Sequence, residues 1–286
     1  MIDYAKCNEF AKTQLKGRYK IPVIAVLLAE LLGFIQLFIQ SRFFPTPTQD
    51  ELIKFLTNPG SNQEMILDYS KNTLSSLGIS IIFGLIGFIF TFAATGLYLK
   101  MSKSPEPVEL KDYVDGFAKW KRGILCGLWI ALWTFLWCLP FTIAMVICLF
   151  ISSTAILFGL VILIGACIFL IYKLLDYSFT YYVAAEYDNV SIPRAMELSI
   201  TLVNGSKKQI VLITLSTLAL PIAGVVVLGL IFAFSGTAHS DVILQVIQTA
   251  LLCVFAPIYN LSTINLYHSQ LKDKVESGLL RQEDLQ

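Results

Sequence analysis

The chain has 286 residues, of which 56% are hydrophobic and 14% are charged. Ordinary soluble domains have about 45–50% apolar and about 25% charged residues, so the composition excludes a soluble globular protein and predicts an integral membrane protein. The 21 basic and 20 acidic residues nearly balance, which excludes the strongly basic surface that nucleic-acid binding requires.

Six apolar stretches follow one another along the chain, each close to the roughly 20 residues that a helix needs to cross a bilayer. The third and fourth stretches are nearly continuous, and we divide them at Ser152-Ser153-Thr154 because together they are too long for one crossing and too short for three. The fold class is therefore all-α, with residues 1–286 forming one membrane domain, an external connection at 41–77 and a tail at 268–286. The predicted spans are 21–40, 78–99, 124–150, 155–172, 210–234 and 242–261.

The N-terminal region resembles the start of a signal peptide, because five basic residues precede an apolar run. That run is about as long as a full span, and no convincing small-residue cleavage site follows it. We therefore expect span one to be retained.

Basic residues lie almost entirely on alternate connections. Seventeen of the 21 Lys and Arg residues lie before residue 21, at 100–122, at 184–208 or after residue 261, whereas three lie at 41–77. Lys and Arg are retained on the cytoplasmic side during insertion, so both termini are predicted to be cytoplasmic.

A short amphipathic segment precedes each outward-going span, at 4–15, 110–117 and 192–203. Each has apolar residues near helical spacing and ends close to a glycine and basic residues. Helices of this kind lie in the headgroup layer with their apolar side toward the lipid. We therefore predict three transmembrane hairpins, each introduced by a cytoplasmic interfacial helix; the alternative is coincidence, since any inward-facing loop before a span tends to be basic.

Glu30 is an acidic residue inside the first span. Counting from Ile21 at about 1.5 Å per residue, it lies roughly 13 to 14 Å deep, near the middle of the bilayer. An ionised carboxylate there costs about 2.5 to 3.5 kcal/mol on insertion scales, so it should be protonated, paired or hydrated. Gln36 and Gln40 lie on the same side of the helix and extend a polar stripe outward.

A second polar stripe follows span six. If it faces the stripe of span one, the two form a hydrated groove that binds a ligand; hydrogen bonding between packed helices explains the same residues. Span two has a face of small residues, which predicts a packing seam made of Ser80, Gly84, Gly87, Thr91 and Ala94. Pro221 and Pro257 predict bends in spans five and six. The span-six stripe consists of Gln245, Thr249, Cys253, Ala256, Asn260, Thr263 and Tyr267.

Lys173 and Asp176 are three residues apart at the end of span four, among several tyrosines. This pattern predicts an ion pair at the inner membrane interface. Trp129, Trp133 and Trp137 share one face of span three, where they either pack on a neighbouring helix or stack on an aromatic ligand.

No pattern predicts catalysis, a metal or a cofactor. Five of the six cysteines lie in apolar stretches without CxxC spacing, and the two histidines are far apart. The sequence also lacks HExxH, GxSxG and a phosphate-binding glycine loop, so we do not expect an enzyme.

Several stretches of the chain form a recognisable set. They are Ala11 to Gly17, Tyr113 to Phe117, and a longer run from Tyr177 through Ala184, Pro193, Ala195, Ser199, Asn204-Gly205 and Lys207 to Leu215-Ser216, with Pro257 and Tyr267 near the end. Together they resemble the six-span bacterial membrane family known as domain of unknown function 975. The resemblance implies a bacterial inner (plasma) membrane. It implies no reaction and no functional residue.

Two classes of function are compatible with these patterns. The preferred one is a membrane scaffold or accessory subunit, with membrane lipids and a protein at the cytoplasmic face as partners. The alternative is binding or transport of a lipid or small molecule through the groove between spans one and six.

Overall fold

The computed structural model describes residues 3–44, 63–151, 155–235, 240–281 and 283. Within these ranges the regular elements are α-helices, as the sequence predicts. In chain order they are α1 (Tyr4–Leu15), α2 (Lys20–Phe43), α3 (Gln63–Lys103), α4 (Leu110–Phe117), α5 (Trp120–Ile151), α6 (Ala155–Asp176), α7 (Thr180–Glu186), α8 (Ile192–Val203), α9 (Lys207–Ser235) and α10 (Ser240–Glu276).

Five helical stretches in the described ranges are long and apolar enough to cross a membrane. Helix α9 passes the same test only if Lys207–Ala219 and Pro221–Leu230 count as one span, because these two parts are bent by 52°. The bend falls at Pro221, which lacks an N–H group and crowds the preceding turn. The prediction of six spans therefore depends on this bent pair. The five are Lys20–Phe43, Ser70–Lys103, Trp120–Cys148, Val161–Glu186 and Ile243–Glu276.

The helices extend beyond the predicted apolar limits. Helix α2 continues to Phe43 and α3 begins at Gln63, so both ends of the predicted 41–77 connection are helical. Helix α10 continues to Glu276, so the predicted tail also begins as helix. The division between spans three and four lies outside the described residues, between Ile151 and Ala155.

The buried core lies at one end of the bundle, which we call the basic end and define by Lys20, Lys103, Trp120, Asp176 and Lys207. There the short helices α1, α4, α7 and α8 pack over the ends of the long ones. Away from this end the long helices expose apolar side chains, such as Phe38 at 67%. The large side chains that are almost fully buried are Leu15, Phe92, Leu97, Tyr98, Met101, Tyr113, Phe179, Leu198, Leu202, Ile210, Ile213 and Tyr267.

Ion pairs and hydrogen bonds of charged side chains connect the short helices to the long ones. Lys103 Nζ lies 2.6 Å from the carboxylate of Glu186, to which the Tyr267 hydroxyl donates at 2.7 Å. Glu186 ends α7, so α3 and α10 are both fixed to that helix. The Glu186 side chain is 9% exposed and that of Lys103 is 53% exposed, so only the carboxylate of this pair is shielded from water.

The guanidinium of Arg122 binds the turn that follows α7. Its N–H groups donate to the carbonyls of Ala184 at 2.7 Å, Tyr187 at 2.7 Å, Asp188 at 2.9 Å and Val190. These carbonyls include ones that a helix end leaves without intrahelical partners. The turn into α8 is therefore held by one side chain of α5.

Helix α4 is joined to α3 through Asp112. Its Oδ2 accepts from the backbone N–H of Glu109 at 2.9 Å, completing a capping box, and its Oδ1 pairs with Lys100. The hydrogen bond from Lys100, followed by that from the Glu109 N–H, lowers the pKa of the Asp112 carboxyl.

The N-terminal helix packs against parts of the chain that are distant in sequence. The Asn265 amide of α10 donates to Gln14 Oε1 at 3.0 Å, and the Asn8 amide donates to Ser216 Oγ of α9 at 2.8 Å. Helix α1 buries Leu15 and neighbouring apolar residues in these contacts.

The predicted interfacial helices turn much of their apolar side toward the protein. Leu15 of α1, Tyr113 of α4 and Leu198 of α8 are each about 1% exposed. Phe10 and Val114 remain more than half exposed. Contact of these helices with lipid headgroups stays a prediction that concerns their exposed residues only.

The close approach of α3 and α5 depends on a glycine of α5. A Cβ atom at Gly127 would lie 2.2 Å from the ring of Phe88. A Cβ at Gly84 or Gly87 of α3 would meet no atom within 4 Å. The predicted packing seam on span two is therefore wrong at these two glycines.

Candidate functional site

A cavity of ≈ 260 Å³ lies between α2, α3 and α10. We call it the Glu30 cavity. Its polar side chains are Glu30, Thr91, Thr95, Tyr98 and Asn260, and none of its lining residues is basic. The room is left by four alanines in its walls, namely Ala25, Ala29, Ala94 and Ala256.

Glu30 is hydrogen-bonded across to α10. The Gln245 amide donates to Oε2 at 3.2 Å, and the Thr249 hydroxyl contacts the same oxygen at 3.3 Å. Thr249 Oγ1 also lies 2.8 Å from the carbonyl oxygen of Gln245, to which it donates its single proton. The Gln245 amide is therefore the firmer donor to Glu30. Neither contact uses Oε1, which is left to accept from another donor.

Tyr98 adds a polar group that has no hydrogen-bond partner. The residue is 2% exposed, and its hydroxyl is buried with no hydrogen-bond partner. A hydroxyl buried in this way costs about 1–3 kcal/mol unless a partner is supplied. The Asn260 amide donates to the Ala256 carbonyl at 2.8 Å, which leaves its Oδ1 to accept.

The other predicted groove residues lie elsewhere. The Gln40 amide donates to Ser80 Oγ of α3 at 2.8 Å, and the Gln36 amide reaches the same oxygen at 3.5 Å. Thr263 is 1% exposed and donates to the Tyr259 carbonyl. The outer stripe of span one thus packs on span two.

Helix α3 contributes cavity residues that the sequence analysis did not single out. Tyr98 and Thr95 lie in a strongly apolar run and carry no charge, so their pattern is that of packed side chains. Thr91 was assigned to the packing seam. These residues are recognisable as part of a polar site only because the structure places them next to Glu30.

A second concave site lies at the basic end, between α5, α6 and α8. We call it the tryptophan pocket; it measures ≈ 240 Å³, and its principal residues are Trp129, Trp133, Trp137, Lys173, Asp176 and Met196. The Trp137 indole N–H donates to the Tyr177 hydroxyl at 2.9 Å, and its ring stacks edge-on with Phe169.

The predicted pair of Lys173 and Asp176 is long, with Nζ 4.0 Å from Oδ2. The nearer cation is Lys207, whose Nζ lies 2.6 Å from Oδ1 of the same carboxylate. Lys173 instead lies 4.8 Å from the centre of the Trp137 ring. Sequence spacing could not identify Lys207, because it begins a different helix.

The described residues contain no group of three or more His, Cys, Asp or Glu side chains that could hold a metal ion. Comparison with curated proteins and with solved structures gave no match. A family model described as "Protein of unknown function (DUF975)" matches residues 1–274. Because that match covers nearly the whole chain, the protein belongs to the DUF975 family.

Proposed function

We propose that the chain is a multi-pass membrane protein, with its basic end in the cytoplasm, that binds a small amphipathic amine in the Glu30 cavity. The observation that carries this proposal is a cavity whose single carboxylate has no basic neighbour in its lining and whose wall includes Tyr98, the hydroxyl of which is buried without a hydrogen-bond partner.

Charge favours a cationic ligand. Glu30 lies near the middle of the apolar helix α2, where an isolated carboxylate is costly. A protonated amine would neutralise it. The ammonium group has three donors, and Glu30 Oε1, Asn260 Oδ1 and the Tyr98 oxygen are three acceptors.

The volume of the cavity suits the headgroup of an amphipathic ligand better than a whole drug-sized molecule. Sites for such molecules usually measure about 300–1,000 Å³, and this cavity is smaller at ≈ 260 Å³. The apolar remainder of an amphipathic ligand would lie along exposed side chains such as Leu27 and Leu31 of α2.

The test compares decylamine with decanol, which share a chain and differ in headgroup. Both are titrated against the full chain in nanodiscs, with empty nanodiscs to subtract partitioning. Glu30→Gln should weaken decylamine binding by about tenfold or more, because a charge-assisted hydrogen bond is lost, and should change decanol binding little. The control Glu197→Gln alters a carboxylate that is 65% exposed at the basic end.

Two outcomes contradict the proposal. If the wild type and Glu30→Gln bind decylamine equally, the amine does not bind in the Glu30 cavity. A large loss of stability with unchanged binding means that Glu30 serves helix packing through Gln245 and Thr249.

Tyr98→Phe separates a ligand contact from a burial defect. Without ligand, removing an unpaired buried hydroxyl should leave the melting temperature unchanged or raise it. With decylamine, the variant should bind several-fold more weakly. Unchanged affinity would mean that the hydroxyl does not contact the ligand.

A scaffold or accessory role is the second candidate. The specific observation in its favour is the tightly packed layer of α1, α4, α7 and α8 at the basic end, outside the most apolar parts of the spans. If this role holds, a protein partner should copurify in fixed stoichiometry, and Glu30→Gln should not release it.

A further inference from the structure

The tryptophan pocket is separate from the Glu30 cavity and, unlike that cavity, is lined in part by a lysine. Its walls come from α5 on one side and α8 on the other, with Lys173 and Asp176 of α6 between them. Trp129, Trp133 and Trp137 follow one another every four residues, so one face of α5 supplies all three rings.

The lining of the pocket holds one lysine, Lys173, and two carboxylates, Asp176 and Glu197, and each carboxylate is paired with a cation from outside the lining. Asp176 is only 10% exposed and is engaged by Lys207 at 2.6 Å. Glu197 at the rim pairs with Arg194 at 3.0 Å. Lys173 Nζ lies 4.0 Å from Asp176 Oδ2 and shares this carboxylate with the closer Lys207, so these three cations and two carboxylates together carry one positive charge.

The pocket also has more donors than acceptors. Among the described residues, Trp137 uses its indole N–H for Tyr177, whereas Trp129 and Trp133 have no hydrogen-bond partner. Two indole N–H groups and the Lys173 ammonium, all on residues that line the pocket, are thus available as donors. An anion with several acceptor oxygens satisfies both the charge and the donors.

The surroundings of the pocket are apolar. Helix α5 exposes Leu132, Phe135 and Leu136 next to the tryptophans in sequence, at 44–62%. Tryptophan and lysine together are typical of the headgroup level of a membrane. An anion bound here would have a long hydrocarbon surface beside it.

We propose that the tryptophan pocket binds the phosphodiester group of an anionic glycerophospholipid. Lys173 and the free indole N–H groups hold the phosphate oxygens, and the acyl chains lie along α5. A zwitterionic headgroup binds less well, because Lys173 repels its ammonium group.

The test is native mass spectrometry of the full chain in mild detergent. Phosphatidylglycerol, phosphatidylethanolamine and diacylglycerol with the same acyl chains are added separately. We expect one tightly bound phosphatidylglycerol, weaker phosphatidylethanolamine and no specific diacylglycerol. Lys173→Gln should weaken phosphatidylglycerol binding by about tenfold or more, as expected for the loss of a charged donor.

Lys272→Gln is the matched control, because this lysine is on α10 and its side chain is 75% exposed. It should bind phosphatidylglycerol as the wild type does. Equal binding by Lys173→Gln and Lys272→Gln overturns the proposal, as does equal binding of phosphatidylglycerol and diacylglycerol.

Two further variants keep the test decisive if Lys173→Gln does not fold. Lys173→Arg retains the charge and should retain the lipid. Trp133→Phe keeps an aromatic ring without the N–H and should weaken binding several-fold; full affinity in this variant contradicts the assigned contact.

Two more measurements show whether the bound phosphate belongs to a lipid and which of the two sites holds it. Inorganic phosphate at the concentration of the lipid should not displace phosphatidylglycerol; displacement would indicate a site for a free anion and overturn the lipid assignment. Glu30→Gln should leave phosphatidylglycerol binding intact, and its loss there would overturn the independence of the two sites.

Discussion

Asp112 caps its own helix α4 through Oδ2 and joins it to α3 through Oδ1, and its lowered pKa makes these contacts pH-dependent. A carboxyl whose native pKa lies below its unfolded value of about 3.9 stabilises the fold fully above that value. The stabilisation is lost as the pH falls through the native pKa.

Asp112→Asn should therefore lower the melting temperature at pH 7 by about 2 °C or less, because Lys100 is half exposed and water screens its pair with Asp112. Below the native pKa the wild type and the variant should melt alike. Thermal melts across acidic pH in detergent measure this. Asp188→Asn is the control, because its pair with Lys119 is exposed on both sides and contributes little.

The polar residues of the site could be predicted from the sequence to different extents. Glu30 is identifiable because a lone carboxylate in an apolar helix has few explanations. Gln245 and Thr249 follow from their spacing on span six. Tyr98 could not be found, because an uncharged residue in an apolar run gives no sign that its hydroxyl lacks a partner.

Arg122 is an anchor between elements, since four carbonyls around the end of α7 accept from its guanidinium. Lysine cannot reproduce this planar set of donors. Arg122→Lys should lose about 1.5–3 kcal/mol of unfolding free energy, the worth of charge-assisted hydrogen bonds that are not replaced. Reversible unfolding in mixed micelles measures the loss. Lys121→Arg, an exposed neighbour, should show no comparable loss.

The contact of α3 with α5 gives a prediction about glycine. Gly127→Ala introduces a Cβ 2.2 Å from the Phe88 ring, so the helices must move apart. We expect a loss of about 1–3 kcal/mol, typical of an overpacked core. Gly84→Ala adds the same methyl group where nothing lies within 4 Å, and should be neutral or slightly stabilising. Equal melting temperatures for the two variants would contradict this packing.

Helix limits illustrate what hydropathy can and cannot predict. Apolar runs gave the cores of the spans, and Pro221 gave the position of the bend in α9. They did not give the helical turns beyond the runs, as at Gln63 and Glu276, because charged and polar residues also continue a helix. The glycine that allows the helices to approach closely was predicted on α3 but lies on α5. The sequence does not show which of two packed helices supplies the small residue.

At the scale of the molecule, the basic end determines the orientation that we propose. Positive residues are retained in the cytoplasm, so reporters fused after residues 104, 205 and 286 should behave as cytoplasmic. Green fluorescent protein at these sites should fluoresce, and alkaline phosphatase should be inactive. A phosphatase inserted within residues 45–62 should be active. Active phosphatase after residue 104 or 205 would contradict the orientation.

The arrangement of spans around the two sites was not predictable from the sequence. Alternation of basic connections determines on which side each connection lies but not which helices are neighbours. The pairing of α2 with both α3 and α10, which encloses the Glu30 cavity, depends on side-chain contacts such as those of Gln40 with Ser80 and of Glu30 with Gln245.

The contact of α1 with α10 has a consequence for biogenesis. Gln14 leaves the ribosome early, yet its partner Asn265 is made 251 residues later. At about 5–20 residues per second, the first helix waits roughly 10 to 50 s for that partner. During this interval its apolar surface needs a chaperone or the bilayer itself, and a nascent chain that stops before α10 should be a substrate for quality-control proteolysis.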